Sequence, residues 1–261
     1  MKKFILALCA LSVHVGLHAQ QKEGRVIYER TMKMQFRMPG MNDNVDRTRT
    51  DKFELLFGND QSLWKRVEEN DDVQDMTGPG EGVRIRMMDG GSDDVTFHNF
   101  NEQKIIESHE LFDRTFIVED SIRKLSWKIS DETKTILGFE CKKATATQIG
   151  QRMTMEIING QAERKQVPDT SRIVAWYTSA IPIAAGPQFQ GQLPGLILEL
   201  NINNGRIEYK ALEISAKADV ASIKAPKGKK KLTPAEFDKE RDKLMEEMRN
   251  NGGGRTMIYR N

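Results

Sequence analysis

The sequence predicts a mainly β protein, with a single antiparallel, strongly curved sheet (half-barrel or barrel-like) and a C-terminal helix. Two observations predict the sheet: short runs that alternate apolar and polar residues, and the Gly- and Asn-containing turns between them. The helix is predicted by the capping-box pattern from Thr233 to Glu236. We expect residues 20–225 to form the sheet, and residues 226–261 to form a basic linker, an amphipathic helix and a Gly-rich tail.

Residues 1–19 have the layout of a secretory signal peptide. A short basic head precedes an apolar stretch from Phe4 to Val15, and Leu17 to Ala19 provides a cleavage site. The stretch is too short to span a membrane, and no later segment is long and apolar enough to do so. We therefore expect export to the periplasm, the outer membrane or the cell surface. A lipid anchor on Cys9 is the less favoured alternative, because Leu8 precedes it.

Removal of this segment leaves a chain with balanced charge and one thiol. The 40 Lys and Arg residues lose Lys2 and Lys3 and become 38, which equals the 38 Asp and Glu residues. A neutral exported chain gives no reason to expect a nucleic-acid partner. Cys141 has no second cysteine left to pair with. We expect it to be a small buried core residue, with a reactive thiol as the minor alternative.

The first strand-like run extends from Gly24 to Phe36, and further runs follow it along the chain. In this first run Arg30 is the only polar residue on the apolar face. Residues 37–47 and 68–82 are predicted to be loops, and a bulge is predicted near Ala211. The further strand candidates are 53–57, 62–67, 83–88, 95–100, 104–109, 114–118, 124–129, 135–147 (broken by Gly138), 152–158, 173–177, 196–202 and 206–214.

The segment between Tyr177 and Leu196 is predicted to be a loop of one defined shape. Ile181-Pro182, Gly186-Pro187 and Pro194-Gly195 place three proline-containing turns within it. Such a loop is either a packing corner or the rim of a binding site. The strand that follows places Leu196, Leu198, Leu200 and Ile202 at alternate positions, so we expect these four side chains to share one face.

An apolar groove in the sheet is the predicted ligand site. Its candidate contacts are methionine and aromatic residues, namely Met32, Met34, Trp176, Tyr177 and Phe189. Thioethers also suit copper(I), but core filling or a malleable groove is the favoured interpretation of the methionines. No catalytic constellation, metal-ligand cluster or cofactor motif is present in the sequence, so neither a metal nor a cofactor is predicted. The basic run Lys227–Lys231 is interpreted as a solvated linker, with contact to anionic lipid as the alternative.

Two blocks, Trp127–Ala144 and Ala175–Ile197, resemble the GLPGLI family of exported proteins from Gram-negative bacteria. Gln192 departs from that family's name motif, which has glycine there, and Gly191 stands one position earlier. The resemblance supports the fold and export predictions and implies no activity. The residues that carry it are Trp127, Gly138, Cys141, Gly186, Pro187, Leu193, Pro194, Gly195, Leu196 and Ile197.

Three functional hypotheses follow from these observations. The first is a non-enzymatic exported binding or carrier protein of the bacterial envelope that holds an apolar ligand in a groove of the sheet. The second is an accessory protein that docks on an outer-membrane protein and takes no small ligand. The third is a hydrolase with its site in the loop from Gly186 to Gly195, which is disfavoured because no nucleophile–base pair accompanies the loop.

Overall fold

A computed structural model describes residues 21–37, 44–67, 94–111, 114–158, 161–228 and 230–250. One sheet of twelve strands and one C-terminal helix account for its regular structure. The elements are β1 Gly24–Arg37, β2 Asn44–Gly58, β3 Gln61–Arg66, β4 Val95–Asn99, β5 Lys104–Leu111, β6 Arg114–Ser121, β7 Lys128–Ile136, β8 Phe139–Ile158, β9 Gln161–Thr178, β10 Leu196–Ile202, β11 Ile207–Ser215, β12 Lys231–Leu232 and α1 Pro234–Asn250.

The strand order shows two meanders that meet at one seam. It reads β12-β6-β5-β4-β3-β2-β1-β11-β10-β9-β8-β7, so β1 to β6 are neighbours in sequence order and so are β7 to β11. The seam is the antiparallel pair of β1 and β11. This confirms a mainly β protein with one sheet and a C-terminal helix. Sequence alternation predicts such strands well because each one buries a single face.

The predicted closure, strong curvature and purely antiparallel pairing are wrong. The sheet is open, is not strongly curled, and has β12 and β7 at its two edges. It is mixed because Lys231 and Leu232 pair in parallel with Ile117 and Val118 of β6. The segment after β11 brings the chain back to that edge in the same direction as β6, a long-range return that local alternation does not reveal.

Several boundaries differ from the predicted ones for local reasons. Residues 124–127 belong to a connector, so β7 starts at Lys128. The glycine at 138 does not interrupt a strand but closes the β7–β8 hairpin, where Leu137 and Gly138 have φ of 50° and 83°. The bulge predicted near Ala211 is at Leu212, which the pairing of β1 with β11 skips. Residues 1–19, 68–82 and 83–88 lie outside the described residues.

A second bulge, in β10, corrects the predicted alternation. Ile197 pairs with Tyr177 and Glu199 pairs with Trp176, so Leu198 has no register partner on β9. Leu196 and Leu198 consequently pack with the start of β1, whereas Leu200 and Ile202 pack with the middle of β9. The four residues therefore do not form a single row. The sequence hid the bulge because residues 196–198 and 200 are all apolar and all buried.

Two different segments cover the two faces of the sheet. We call the face that carries Val26, Tyr28 and Arg30 the loop face, because the loop of residues 181–195 packs on it. Ile223 and its neighbours, in the segment that leads to β12, pack on the apolar residues of β2 to β6 that form a third core cluster. The loop therefore covers part of the loop face, and the part of this face that the loop leaves uncovered is accessible to a ligand.

The C-terminal helix begins at the predicted capping box and docks on the edge of the sheet. The backbone N–H of Thr233 donates to the Glu236 carboxylate at 2.8 Å, and the N–H of Glu236 donates to Thr233 Oγ1 at 3.3 Å. Phe237 then stacks on His109, with ring centres 4.8 Å apart, and meets Phe116 edge-on. The helix is thus held by an aromatic contact to β5 and β6.

Candidate binding surface

Three glutamines of the loop attach it to three different parts of the molecule. Gln188 Nε2 donates to Tyr209 Oη at 3.0 Å, and Ser62 Oγ donates to Gln190 Oε1 at 2.5 Å. Gln192 Oε1 accepts from the backbone N–H of Leu125 at 3.0 Å. It also accepts from the indole N–H of residue 127 at 3.0 Å. Alternate side chains of the segment 188–192 therefore fix the loop to β11, β3 and the connector between β6 and β7.

The glycines of the loop explain why this segment has one shape. Gly191 has φ of 77°, whereas Gln192 is not among the residues with positive φ. The left-handed conformation of this turn is therefore adopted by Gly191 and not by Gln192. Gly195 does not have the positive φ that a type II turn predicts. Its requirement is space, since a Cβ there would lie 2.2 Å from the carbonyl oxygen of Thr178. Gly186 combines φ of 144° with a Cβ position 2.6 Å from Ile197.

The remaining motif residues are core and corner residues. Phe189 and Leu193 are buried against the aromatic and aliphatic side chains of β9 and β10, and Trp127 meets Phe189 with ring centres 5.7 Å apart. Cys141 is fully buried, and burial raises the pKa of its thiol to about 11. Pro187 accepts a backbone hydrogen bond from Phe189, and Gly195 donates one to Leu193. The other members of the set, Gly138, Pro194, Leu196 and Ile197, occupy turn and core positions.

The five predicted ligand contacts do not meet in one groove. Tyr177 and Phe189 are buried in the same cluster, where the loop packs on the sheet. Trp176 precedes Tyr177 in β9 and therefore points to the opposite face, where the ammonium group of Lys134 lies 4.5 Å from its ring centre. Met32 is half-buried on the loop face, where the pairing of β1 with β11 ends. Met34 lies in β1, and its side chain is outside the described residues.

Two hairpins extend beyond the same end of the sheet. Residues 34–37 of β1 pair with 44–47 of β2 after the pairing of β1 with β11 ends at Ile207. Residues 147–158 of β8 pair with 161–172 of β9 before the pairing of β9 with β10 begins at Ile173. We call these hairpins the first and second arm. They flank the short turn between β10 and β11, which lies between Ile202 and Ile207.

At the base of the first arm, the side chains of the loop face are no longer covered by the loop. Along β1 the side chains at 26 and 28 are fully buried, whereas Arg30 and Met32 are half-buried. Across the strands, Met32 is in register with Ile207 and Arg49. We call this region the arm-base surface and define it by its half-buried members Arg30, Met32, Arg49, Phe53, Arg66 and Ile207.

Aromatic rings form the side of this surface nearest the loop. Phe53 stacks on Trp64 with ring centres 5.1 Å apart, and Trp64 meets Tyr209 edge-on at 6.0 Å. On its other side Phe53 has the guanidinium carbon of Arg30 4.8 Å from its ring centre. Gln188 donates to Tyr209 Oη, so the edge of the surface that the loop covers lies at this aromatic group. The loop is therefore both a packing element and the boundary of the accessible surface.

A buried carboxylate organises the charged part of the surface. Asp51 has 1% of its side chain exposed, and its Oδ2 lies 2.5 Å from Arg30 Nη2. Its Oδ1 is contacted by Arg49 at 3.0 Å and by Arg66. Burial alone raises the pKa of Asp51, but the hydrogen bond from Arg30 and the charges of all three arginines outweigh it and lower that pKa. The carboxylate therefore stays ionised, and three guanidinium groups converge on it.

The other buried polar groups on the loop face do not form a reactive set. His98 lies opposite Ser62 in register, and its Nδ1 has no partner in the described part of the chain. Burial lowers the pKa of His98 to about 4, so the imidazole is neutral near pH 7. Ser62 Oγ is buried and donates to the Gln190 side chain. No group of three His, Cys, Asp or Glu residues in the described ranges is arranged to hold a metal ion.

A separate open cleft of about 550 Å³ lies where the start of α1 meets β5 and β6. Its charged residues pair with one another, as Lys104 does with Glu119 at 3.0 Å and Arg123 with Asp120 at 3.2 Å. Lys231 also contacts Glu119 at 2.6 Å. These exposed pairs contribute little individually, and no aromatic side chain is among the residues that line the cleft. We therefore take the arm-base surface as the candidate site.

Sequence patterns identified only part of this surface. Arg30 was visible as the one polar residue on an apolar strand face, and Met32 was predicted as a ligand contact. Asp51 and Arg66 gave no signal, because their proximity to Arg30 depends on the pairing of three strands. A charged residue at an inward position is the local sign that a partner charge lies across the strand.

Comparisons with known proteins add family and fold information. A family model described as a protein of unknown function (Porph_ging) matches residues 127–199, which span β7 to most of β10 and include the loop. This is a different family from the GLPGLI family, so the resemblance stated from the sequence is wrong. A search of the curated proteins found no match.

Two crystal structures of PNGF-II are similar to this chain. The one in space group C2 has 17% sequence identity and a TM-score of 0.50, and the match covers 83% of this chain and 32% of that chain. The one in space group P21 has 18% identity and a TM-score of 0.47 and covers 82% and 33%. The chain thus spans about a third of the length of these solved chains. At this identity the first match shows the fold alone.

Proposed function

We propose that the protein is an exported, non-enzymatic binding protein of the bacterial envelope, and that its ligand contacts the arm-base surface. The observation that carries this proposal is the change in burial along the loop face. Tyr28 is fully covered, whereas Arg30 and Met32, two and four positions further along the same face, are only half-buried. The accessible area combines apolar, aromatic and charged side chains, the mixture typical of ligand sites.

An apolar part of a ligand would contact Met32, Ile207 and Phe53. These half-buried side chains are close in register, since Met32 pairs with Ile207 and Phe53 lies two rows away on β2. Methionine adapts its shape to different ligands, and an aromatic ring provides a flat contact. The loop, fixed through Gln188 and Tyr209, would form one wall, and the first arm would form the other.

The state of the candidate nucleophiles supports the non-enzymatic part of the proposal. The thiol of Cys141 is buried and its pKa is raised to about 11, so it is protonated at neutral pH. His98 is buried and lies beside a serine whose hydroxyl already donates to Gln190. Neither group has the exposed, activated environment that nucleophilic catalysis requires.

Ligand retention in variants tests the binding surface. The full chain would be extracted from its native envelope, and mass spectrometry would identify bound small molecules. We expect Ile207→Asn to lose the apolar ligand, because it removes a contact on the arm-base surface. Leu212→Asn is the matched control, since Leu212 is on the same strand, 43% exposed and outside this surface. A wild-type protein without any bound molecule, or equal retention by both variants, would refute this site.

The second candidate function is an accessory role, in which the protein docks on an outer-membrane protein through its two arms. The observation that favours it is the projection of both arms from one end of the sheet, with Ile149 of the second arm 83% exposed. A photo-crosslinking residue at 149 would capture such a partner in intact envelopes, and one at Leu137, an exposed turn residue at 46%, is the control. A stoichiometric adduct only at 149 supports docking, whereas no adduct at either position contradicts it.

A further inference from the structure

We propose that one face of the second arm lies on an anionic phospholipid surface of the envelope, with Ile149 in the apolar layer and Arg172 beside the headgroups. This face is separate from the arm-base surface, so the proposal goes beyond the binding function proposed above and does not depend on it. Three observations support it. The arm has no strand beside it, the face that carries Ile149 is apolar, and the charges on that face are basic.

The second arm is a two-stranded hairpin without a neighbouring strand. The pairing of β7 with β8 reaches only Thr145, and the pairing of β9 with β10 begins at Ile173. Within the described part of the sheet, residues 147–158 and 161–172 therefore pair only with each other. Twelve residues of strand extend over about 40 Å. A hairpin of two strands alone is marginally stable in water, so contact with a further surface is favoured.

The register makes this hairpin amphipathic. Residues that pair directly across two strands share a face, and alternate positions along each strand return to that face. Ile149 is 83% exposed, although isoleucine is among the residues most often buried. The positions that share its face include further apolar residues, namely Met153, Met155, Ile157, Ala162 and Pro168. The other face of the arm has five charged residues, namely Arg152, Glu156, Glu163, Lys165 and Asp169.

The charged residues on the Ile149 face of the arm are both basic. Arg172 is exposed, and its guanidinium group makes no ion pair with any residue that the structure describes. Arg164 occupies the position on this face that pairs with Met155. No position on this face of the arm holds an acidic residue. Basic and apolar residues on one face are complementary to anionic headgroups above an apolar layer.

A second copy of the chain suits this face less well than lipid does. The face is about 40 Å long and two strands, or about 10 Å, wide, so two arms would bury about 400 Å² each. A stable interface of standard size buries about 800 Å² on each partner. Two arms packed face to face would also bury the basic residues of both copies without an acidic partner. Lipid requires neither a larger area nor a partner of matching shape.

Vesicle flotation of the full chain, purified from its native envelope, tests the proposal. Protein-free vesicles of phosphatidylethanolamine and phosphatidylglycerol are compared with vesicles of phosphatidylcholine. We expect stronger binding to the anionic vesicles, and this difference should shrink as the salt concentration rises, because salt screens exposed charges. Equal binding to both kinds of vesicle, or binding to neither, would overturn the proposal. Binding only to native outer-membrane fragments would also overturn it, and would indicate a protein partner instead.

Two pairs of variants assign the binding to the arm. Ile149→Asn should weaken binding to the anionic vesicles about tenfold, and Leu137→Asn, at an exposed turn position, is the matched control. Arg172→Gln should weaken it about fivefold, and Arg114→Gln, at an exposed position that begins β6, is the control. Because each variant keeps the rest of the chain, any other segment that contacts lipid contributes equally to all of them.

A gain of binding completes the test. Ile149→Trp should bind the anionic vesicles more tightly than the wild type, because tryptophan favours the interface between membrane and water. Misfolding does not explain such a gain, and a blue shift of the tryptophan emission on vesicle addition would place residue 149 in the apolar layer. Equal binding by Ile149→Asn and Leu137→Asn, or no gain for Ile149→Trp, would overturn the proposal.

Discussion

At the scale of single residues, the loop depends on positions where a side chain does not fit. Gly195 adjoins the carbonyl group of Thr178 so closely that a Cβ would overlap it. A type II turn at Pro194 and Gly195 would require a positive φ at this glycine, but its φ is not positive. A proline–glycine pair indicates a turn, but the close approach of another strand end is a tertiary property that sequence does not show.

We expect Gly195→Ala to destabilise the protein by about 2–4 kcal/mol. The added Cβ would lie 2.2 Å from the Thr178 carbonyl oxygen, so backbone atoms must move. Chemical denaturation monitored by circular dichroism measures the change. Gly150→Ala is the control, since a Cβ at Gly150 meets nothing within 4 Å. Equal stability of the two variants would show that this corner adjusts freely.

Cys141 should be unreactive in the folded protein. It is fully buried, and burial raises its pKa to about 11, so very little thiolate is present at pH 7. A thiol reagent should label the native protein slowly and the denatured protein rapidly, as followed by mass spectrometry. Rapid labelling under native conditions would restore the reactive-thiol alternative. Slow labelling of the native protein would agree with the prediction from sequence that Cys141 is a small buried core residue.

At the scale of elements, the sequence predicted those strands and turns whose signals are local. The capping box at Thr233 and the hairpin turn at Asn59 and Asp60 are confirmed. The bulge at Leu198 was not predictable, because an uninterrupted apolar run contains no alternation that a bulge would shift. Of the arm-base surface only Arg30 and Met32 were recognisable, because its other charges come from β2 and β3, whose register with β1 the sequence does not show.

The docking of α1 should depend on pH through His109. Hydrogen bonds to Asp94 at 3.2 Å and Glu107 at 3.4 Å raise the pKa of His109 to about 9, although burial acts against this. Because this pKa is raised above the ordinary value of 6.5, the protonated imidazole stabilises the fold fully below pH 6.5. This stabilisation is lost as the pH rises to about 9. After discounting for solvent screening we expect about 1–2 kcal/mol.

Thermal unfolding from pH 6 to pH 10 measures this dependence. The melting temperature of the wild type should fall across the window, and that of His109→Gln should fall less. Burial lowers the pKa of His98 to about 4, so its contribution to stability changes between about pH 4 and 6.5, and this change is the same in both proteins and cancels in the comparison. Parallel curves for the two proteins would show that the ion pairs of His109 contribute nothing to stability.

At the scale of the whole molecule, the division at residues 225 and 226 stays a prediction. The β12 strand and α1 add to the edge of a sheet whose other strands end at Ser215. In this C-terminal segment Leu232 and Leu244 are buried. The C-terminal segment is therefore attached to the sheet through a small apolar contact and not through the main core.

A chain that ends at Pro226 should fold but be less stable. Loss of two buried leucine contacts should cost about 2–4 kcal/mol, at roughly 1.5–3 kcal/mol for each fully buried side chain, partly offset by the entropy regained. Circular dichroism and denaturant titration measure the outcome. Insoluble or unfolded protein would show that the edge contact is essential and that the predicted division is misplaced.

The seam between β1 and β11 also has a kinetic consequence. Each meander assembles from hairpins between neighbouring strands, whereas the seam pairs Arg25 with Ser215 and must wait until nearly the whole chain is available. Non-local pairing of this kind slows folding, so we expect seam formation to limit the rate. It also means that a single cut in the connector 122–127 separates the two meanders, which meet at the seam and through the loop of residues 181–195. Mixed together, the two fragments should recombine through the β1–β11 edges and the β6–β12 edges, in the manner of a split reporter protein.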